Sequence, residues 1–468
     1  MRGATHGPAP TYHVLLRAGA EDTFIVEPGS RGQLVGLRMD GAPGDDRWRV
    51  DEDVWEPLRQ AGLVPTQDAV DLFRVATAAY CADLLVPHRT AYDRWSRHIV
   101  LHVPVADRAR WEAATPALCA LLDYLSGDHW KLAFRESQVP PPPRPRPMRT
   151  TPTPIHAQCV SLLSGGLDSA IGGADLLAAG QRVAFVSHNA KSGGATFSSP
   201  AQQAVLDALG RHFPADLARP LRFRLNPPAP VAGETESVTT TRSRSIIFFA
   251  LGLLVASALD VAHGGGPVPL VVPENGLISL NVPLTKARLG SWSTRTTHPH
   301  TLAMLREAMR ELGLSTPLHT PYAAQTKGEM LGAWAARDRG IAADLAAASV
   351  SCAHPNQSRF LGSAQRQPHC GTCVPCIIRR ASTQHAGVDD GRYSFDLPSA
   401  LPTLKPRRSA DVLAFLYALE TRRRPARAVD INLSGPLHVE TDAELQQLLR
   451  VYDAGMDEVA RHLGVPIR

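Results

Sequence analysis

Four of the seven cysteines fall in one short region: Cys352, then Cys370-Gly-Thr-Cys373-Val-Pro-Cys376. Three thiols at a spacing of three, with a fourth upstream, can close a tetrahedral four-sulfur site. Soft thiolates select zinc over hard cations, and four protein ligands leave no open position. The spacing therefore predicts a structural zinc module over residues 352–376, tying this segment to the body of the protein. A redox Cys-x-x-Cys pair or an iron–sulfur cluster are the other chemistries open to these thiols. An odd cysteine count concentrated in this way does not resemble a secreted disulfide framework.

A second set is Ser164-Gly165-Gly166-Leu167-Asp168-Ser169, between the strand-like "CVSLL" and an Ala/Leu-rich helical stretch. A helix needs one N-cap, which Asp168 or Ser169 alone can supply. The surplus of glycines and hydroxyls points to a ligand. Glycines let successive backbone N–H groups face one concavity, and a helix N-terminus adds positive potential. Ser164 and Ser169 can add donors, and Asp168 can contact a magnesium ion. This makes a pyrophosphate cradle without the lysine of a Walker A loop. An ordinary βα turn is the competing reading.

Three further places carry unexplained polarity. Arg242 and Arg244 immediately precede the apolar run Ile246 to Leu259. Cations at a helix N-terminus oppose its dipole by about 0.3–1 kcal/mol each, a conflict that an anionic ligand removes. Lys327 raises the same conflict, whereas its neighbours Thr326 and Glu329 form a capping box and need no ligand. After the strand-like "VPLVVP" come Glu274, Asn275, Asn281, Arg295 and His298. These can read a polar heterocycle or a carboxylate, unless the segment is a surface loop with ordinary turn chemistry.

The elements that must position these groups follow from pattern. Residues 1–136 mix strand-like alternation ("TYHVLLRA", "RHIVLHVPV", "HWKLAF") with helical stretches at 69–85 and 109–125, an α+β unit. Residues 137–156 are proline-rich and predict a semi-rigid spacer. From residue 157 to 387, strands alternate with helices, which predicts a doubly wound parallel sheet with ligands at the carboxyl ends of its strands. Residues 388–468 hold amphipathic helices, a C-terminal helical extension.

The hexapeptide S-G-G-x-D-S resembles the signature of the PP-loop ATP pyrophosphatases, which split ATP between its α and β phosphates. Arg-Ser-x-x-Phe from Arg244, Thr-Lys-x-Glu from Thr326, and the four cysteines followed by Arg379 and Arg380 occur in the order of the 7-cyano-7-deazaguanine synthases, the QueC family. The likeness spans about Cys159 to Ser382. It implies the adenine nucleotide α-hydrolase-like fold, with ATP, Mg2+ and a structural Zn2+. It implies that Ser164, Gly165, Gly166, Leu167, Asp168, Ser169, Arg244 and Lys327 bind nucleotide, and that Asp168, Ser169, Arg244 and Lys327 act in catalysis. The implied reaction is adenylation of 7-carboxy-7-deazaguanine, followed by amide formation with ammonia and then a nitrile.

Two departures accompany the likeness. QueC enzymes lack the N-terminal unit and the spacer, and their substrate loop differs from the one here. The enlarged layout resembles the QueC-like component of Qat-type bacterial anti-phage systems. That likeness implies a role in defence, a protein partner from the same operon, and a partner amine as acceptor of the activated deazapurine. A tRNA-modifying PP-loop enzyme and a non-catalytic ATP-binding scaffold are the alternatives. The formal charge of +5, from 49 basic and 44 acidic residues, gives no nucleic-acid footprint. The 14-residue run Ile246 to Leu259 is shorter than the roughly 20 residues of a span, which leads to the expectation of a cytoplasmic protein without a membrane segment.

Overall fold

The computed structural model describes residues 9–137, 153–192, 195–197, 199–231, 235, 242–264, 266–286, 295–354, 360–363, 366–397, 405–422 and 425–467. The proline-rich spacer, apart from its ends, lies outside these residues. So do 236–241 ahead of the arginines and 287–294, between Asn281 and Arg295.

Chain order begins with β1 (Thr11–Ala18), β2 (Gly32–Met39), β3 (Asp51–Asp53), α1 (Trp55–Gln60), α2 (Gln67–Leu85), β4 (His98–Val105), α3 (Arg108–Ser126) and β5 (His129–Glu136). It continues with β6 (Cys159–Leu162), α4 (Leu167–Ala178), β7 (Val183–Ser192), β8 (Ala195–Phe197), α5 (Ser199–His212), β9 (Ala218–Asn226) and α6 (Arg244–His263). Then come β10 (Leu270–Val271), α7 (Gly276–Leu280), α8 (Pro299–Glu311), β11 (Leu318–His319), α9 (Lys327–Arg337) and α10 (Arg339–Ala348). The last helices are α11 (Val374–His385), α12 (Pro406–Thr421), α13 (Ala428–Ile431) and α14 (Asp442–Leu463).

The first sheet has the order β2-β1-β4-β5, and all three pairings are parallel. The expectation of an α+β unit is thus corrected to α/β. Alternation along a strand reveals its exposure but not the direction of its partner. Tyr12, Val14 and Leu16 on β1 and Ile99, Leu101 and Val103 on β4 are buried in one core. β3 leaves this sheet and pairs antiparallel with β9, Asp51 opposite Asn226.

The second sheet runs β11-β10-β6-β7-β9-β3, with β8 paired to β7. From β11 to β9 every pairing is parallel. In chain order these five strands stand 5-4-1-2-3, so the connections diverge between β6 and β10. Both faces are covered. Val160, Ala184 and Val186 join the core containing α2, α6 and α8, while Cys159, Val183 and Phe185 join the one containing α4, α9 and α10. Side chains of a strand alternate between faces, which produces this division.

The two sheets share a core, since Phe73 and Trp111 cluster with Leu253 and Leu305. α6, at 20 residues longer than the apolar run Ile246 to Leu259, is long and apolar enough to cross a membrane by length and composition, but most of it is buried inside the protein.

Candidate functional site

The loop Ser164–Gly166 leaves β6 at its carboxyl end, on the divergence between β6 and β10 where ligands of open α/β sheets bind. Gly165 adopts φ +84°, and a Cβ there would stand 2.9 Å from the Gln202 amide, so only glycine fits. The N-cap of α4 is Gly166 rather than Asp168 or Ser169, which lie inside the first turn. Neither side chain is therefore used as the cap. Ser169 Oγ donates to the Gly166 carbonyl at 2.9 Å and lies 3.3 Å from Ser164 Oγ. Both hydroxyls flank the free N–H groups of the helix start.

Asp168 is nearly buried and gathers groups from two other strand ends. Its Oδ2 accepts from Asn275 Nδ2 at 2.7 Å, after β10. Its Oδ1 lies 3.3 Å from Lys327 Nζ, after β11. Oδ1 is otherwise without a hydrogen-bond partner. Asn275 also caps α7, accepting from the Ile278 N–H at 3.1 Å, so its side chain is fixed at both ends.

Thr326 and Glu329 form the expected capping box, which starts α9 at Lys327. Glu274 accepts from Thr297 Oγ1 and sits in the field of Asp168 and Lys327. Burial, reinforced by the Asp168 charge, pushes its carboxyl up to about 7, against the lowering effect of Thr297 and Lys327. Lys327 thus pairs with Asp168 and acts on Glu274 through its field.

The two arginines separate. Arg242 is buried, lies 3.5 Å from Asp128, stands over the Trp95 ring at 4.4 Å and contacts His88 at 3.0 Å. Arg244 is half-buried, and its Nε has no hydrogen-bond partner. Among the described residues it has no carboxylate within ion-pair distance. It lies along Phe248 and in the field of His188, whose position on β7 is two residues past the register partner of Leu162. That places Arg244 at the carboxyl edge of the sheet.

The remaining substrate candidates have local duties. Asn281 ends α7 in the left-handed conformation at φ 47°. Arg295 donates to the Tyr124 carbonyl at 2.9 Å and stacks on that ring, docking α3. His298 caps α8 through the His300 N–H, and burial together with Arg295 pushes its imidazole down to about 3. The structure brings together Ser164, Asp168, Ser169, Glu274, Asn275 and Lys327; of the other three, Asn281 Nδ2, Arg295 Nε and His298 Nε2 are buried without a hydrogen-bond partner among the described residues, and Thr297, between Arg295 and His298, bonds Glu274.

Cys352, Cys370, Cys373 and Cys376 offer sulfurs within 4.8 Å of one another, and none is in a disulfide. Cys370 Sγ and Cys376 Sγ are 3.8 Å apart. A tetrahedron of Zn–S bonds of about 2.3 Å has edges of about 3.8 Å. Backbone N–H groups of Thr372 and Cys373 point at Cys370 Sγ, both at 3.4 Å, which favours a thiolate. Gly371, at φ +84°, permits this turn. The four cysteines can bind a zinc ion, and Cys373 is the N-cap of α11.

A hollow of about 630 Å³ lies at the other edge of the sheet, lined by His156, Gln158, Arg182 and His263. It contains none of the groups above. Asp83 on α2 and Glu458 on α14 reach helix starts near the site and escaped notice in the sequence. Their only local signal is a carboxylate within an otherwise buried helical stretch.

No family model matches the sequence, and no curated protein matches it. Among solved structures there is a match to a ketoreductase domain from the bacillaene assembly line, at 10% identity over 73% of this chain and 79% of that one. The TM-score is 0.17.

Proposed function

We propose that the chain is an ATP-dependent carbon–nitrogen ligase of the QueC-like PP-loop type, activating the carboxylate of a 7-deazapurine such as 7-carboxy-7-deazaguanine. The observation that carries this reading is the meeting, at the sheet divergence, of the glycine loop and helix start with Asp168 and Lys327. N–H groups of that helix start and the two hydroxyls suit the β and γ phosphates. Lys327 and Arg244 suit the charge that grows as pyrophosphate departs.

The substrate carboxylate oxygen would attack the α phosphorus, releasing pyrophosphate and leaving an acyl-adenylate. An amine nitrogen, from ammonia or a partner protein, then attacks the acyl carbon, AMP leaves and the nitrogen loses a proton. Two carboxylates facing one ammonium leave room for one more positive charge. Asp168 would hold Mg2+ together with phosphate oxygens, since Mg2+ commonly takes only one or two protein carboxylates. That ion would neutralise phosphate charge. Zinc at the cysteines would be structural. The defence role and the operon partner rest on the family likeness alone.

The test is product analysis. With Mg-ATP and ammonia as nitrogen donor, AMP and pyrophosphate should accumulate only when 7-carboxy-7-deazaguanine is present, and Asp168→Ala should abolish both. ADP and phosphate, or AMP formed equally without the deazapurine, would contradict the proposal.

A further inference from the structure

Arg244 and Lys327 share one peculiarity: each is the first residue of its helix, where a cation opposes the dipole. In each case the residue just before it is held by a buried carboxylate from outside residues 157–387. The Ser243 N–H donates to Asp83 Oδ2, on α2, at 2.9 Å. Thr326 Oγ1 donates to Glu458 Oε1, on α14. Asp83 is 0% exposed and Glu458 4%.

Both carboxylates are themselves immobilised. The other oxygen of Asp83 accepts from Arg97 Nη2 at 2.7 Å, and Arg97 also bonds Asp128. Glu458 Oε2 accepts from Ser382 Oγ at 3.3 Å, on the helix that the cysteine cluster starts. Glu458 lies so close to Gly328 that a Cβ there would overlap it. Arg450, also on α14, reaches the Ala324 carbonyl at 2.5 Å and pairs with Glu329. Neither Asp83 nor Glu458 hydrogen-bonds to the Ser164–Ser169 loop among the described residues.

We infer that Asp83 and Glu458 are positioning residues: the two flanking segments each supply one buried carboxylate that fixes the start of a helix whose first residue is a cation of the nucleotide site. A negative charge at each N-terminus complements the dipole and offsets the adjacent cation. A buried carboxylate with both oxygens engaged also sets the angle at which the helix begins. The N-terminal unit and the C-terminal helix thereby set how far Arg244 and Lys327 stand from the phosphate loop. The inference rests on the ATP reading of the site.

The experiment is calorimetric binding of Mg-ATP to the full-length protein and to Glu458→Ala, Glu458→Gln, Asp83→Ala and Asp83→Asn. Zinc content and thermal melting are followed in parallel. The alanine variants are expected to bind Mg-ATP on the order of tenfold more weakly, with zinc content unchanged. The amides, which keep an oxygen acceptor for Thr326 and Ser243, are expected to recover most of that loss. A lower melting temperature with wild-type affinity would mean a purely structural role and overturn the inference, as would amides no better than alanine. If an alanine variant does not fold, Glu458→Asp decides: it retains the charge, moves the oxygens back by one carbon, and should weaken binding severalfold, whereas wild-type affinity overturns the inference. Wild-type protein that binds no Mg-ATP would instead defeat the reading of the site, an outcome recognisable without any variant.

Discussion

Two buried charge clusters sit near the carboxyl edge of the second sheet, and they are built differently. In one, Arg97 and Arg242 face Asp83 and Asp128, two cations to two anions. Arg97 alone bonds both carboxylates, at 2.7 and 2.6 Å, and two backbone carbonyls. In the other, Lys327 pairs with Asp168 and is the one cation among the described residues that lowers Glu274, one Asp168 oxygen accepts no hydrogen bond there, and the Glu274 carboxyl rises to about 7. The first cluster is balanced and joins two parts of the chain. Among the described residues the second sets two carboxylates against one ammonium, and Glu274 relieves the excess only by holding its proton up to about pH 7. Composition does not separate a structural ion network from a site. Charge balance does, because a folded protein tolerates an excess of buried charge mainly where something else binds.

The largest effect should come from breaking the balanced cluster. Arg97→Ala leaves two buried carboxylates short of their main partner and should cost about 3–5 kcal/mol of stability, read by urea unfolding. Asp168→Asn should do the opposite. It removes an excess charge and keeps an acceptor for Asn275, so stability should change by less than about 1 kcal/mol, while AMP formation falls by on the order of 100-fold or more. Equal losses of stability in the two variants would erase the distinction.

The arginine pair sharpens the same contrast. Arg244→Gln should weaken Mg-ATP binding about tenfold with little change in unfolding, since among the described residues its Nε has no hydrogen-bond partner to abandon. Arg242→Gln should chiefly lower stability, because it removes a cation facing Asp128.

The smallest effect is one of pH. The folded-state carboxyl of Glu274 titrates near 7, above its ordinary value near 4.5. Between these values the folded protein holds a proton that the unfolded chain has lost, so this residue's contribution to stability falls as pH rises from about 4.5 to 7. Glu274→Gln should flatten that slope in unfolding curves taken at several pH values across the window. Asp168→Asn should shift it to lower pH, because the Asp168 charge helps to raise the Glu274 carboxyl.

Much of this was legible in local sequence, and the exceptions share a cause. Strand and helix alternation from Cys159, the capping box at Thr326 and the cysteine cluster depend on neighbours along the chain, and all appear as read. The direction of the first sheet, the exchange of β3 into the second, and the Asp168–Asn275 bond depend on segments far apart in sequence. Alternation carries no information about them. Asn281, Arg295 and His298 show the converse: polar residues after a strand satisfy the pattern of a binding loop, yet each has a cap or docking contact of its own. Arg242 and Arg244 raise the same helix-dipole conflict in sequence, where only the family likeness favours Arg244, and the partners of Arg242, brought in from residues 88–128, give a physical reason to tell them apart.

The central claim is that a carboxylate oxygen is adenylated at the Ser164–Ser169 loop, and isotope transfer tests it most directly. With 7-carboxy-7-deazaguanine labelled with oxygen-18 in its carboxylate, Mg-ATP and an amine donor, each amide formed should leave one labelled oxygen in AMP, detected by mass spectrometry. Unlabelled AMP would mean that water, not the carboxylate, attacks the α phosphorus, and labelled phosphate with ADP would mean γ-phosphoryl transfer. Either result would contradict the account.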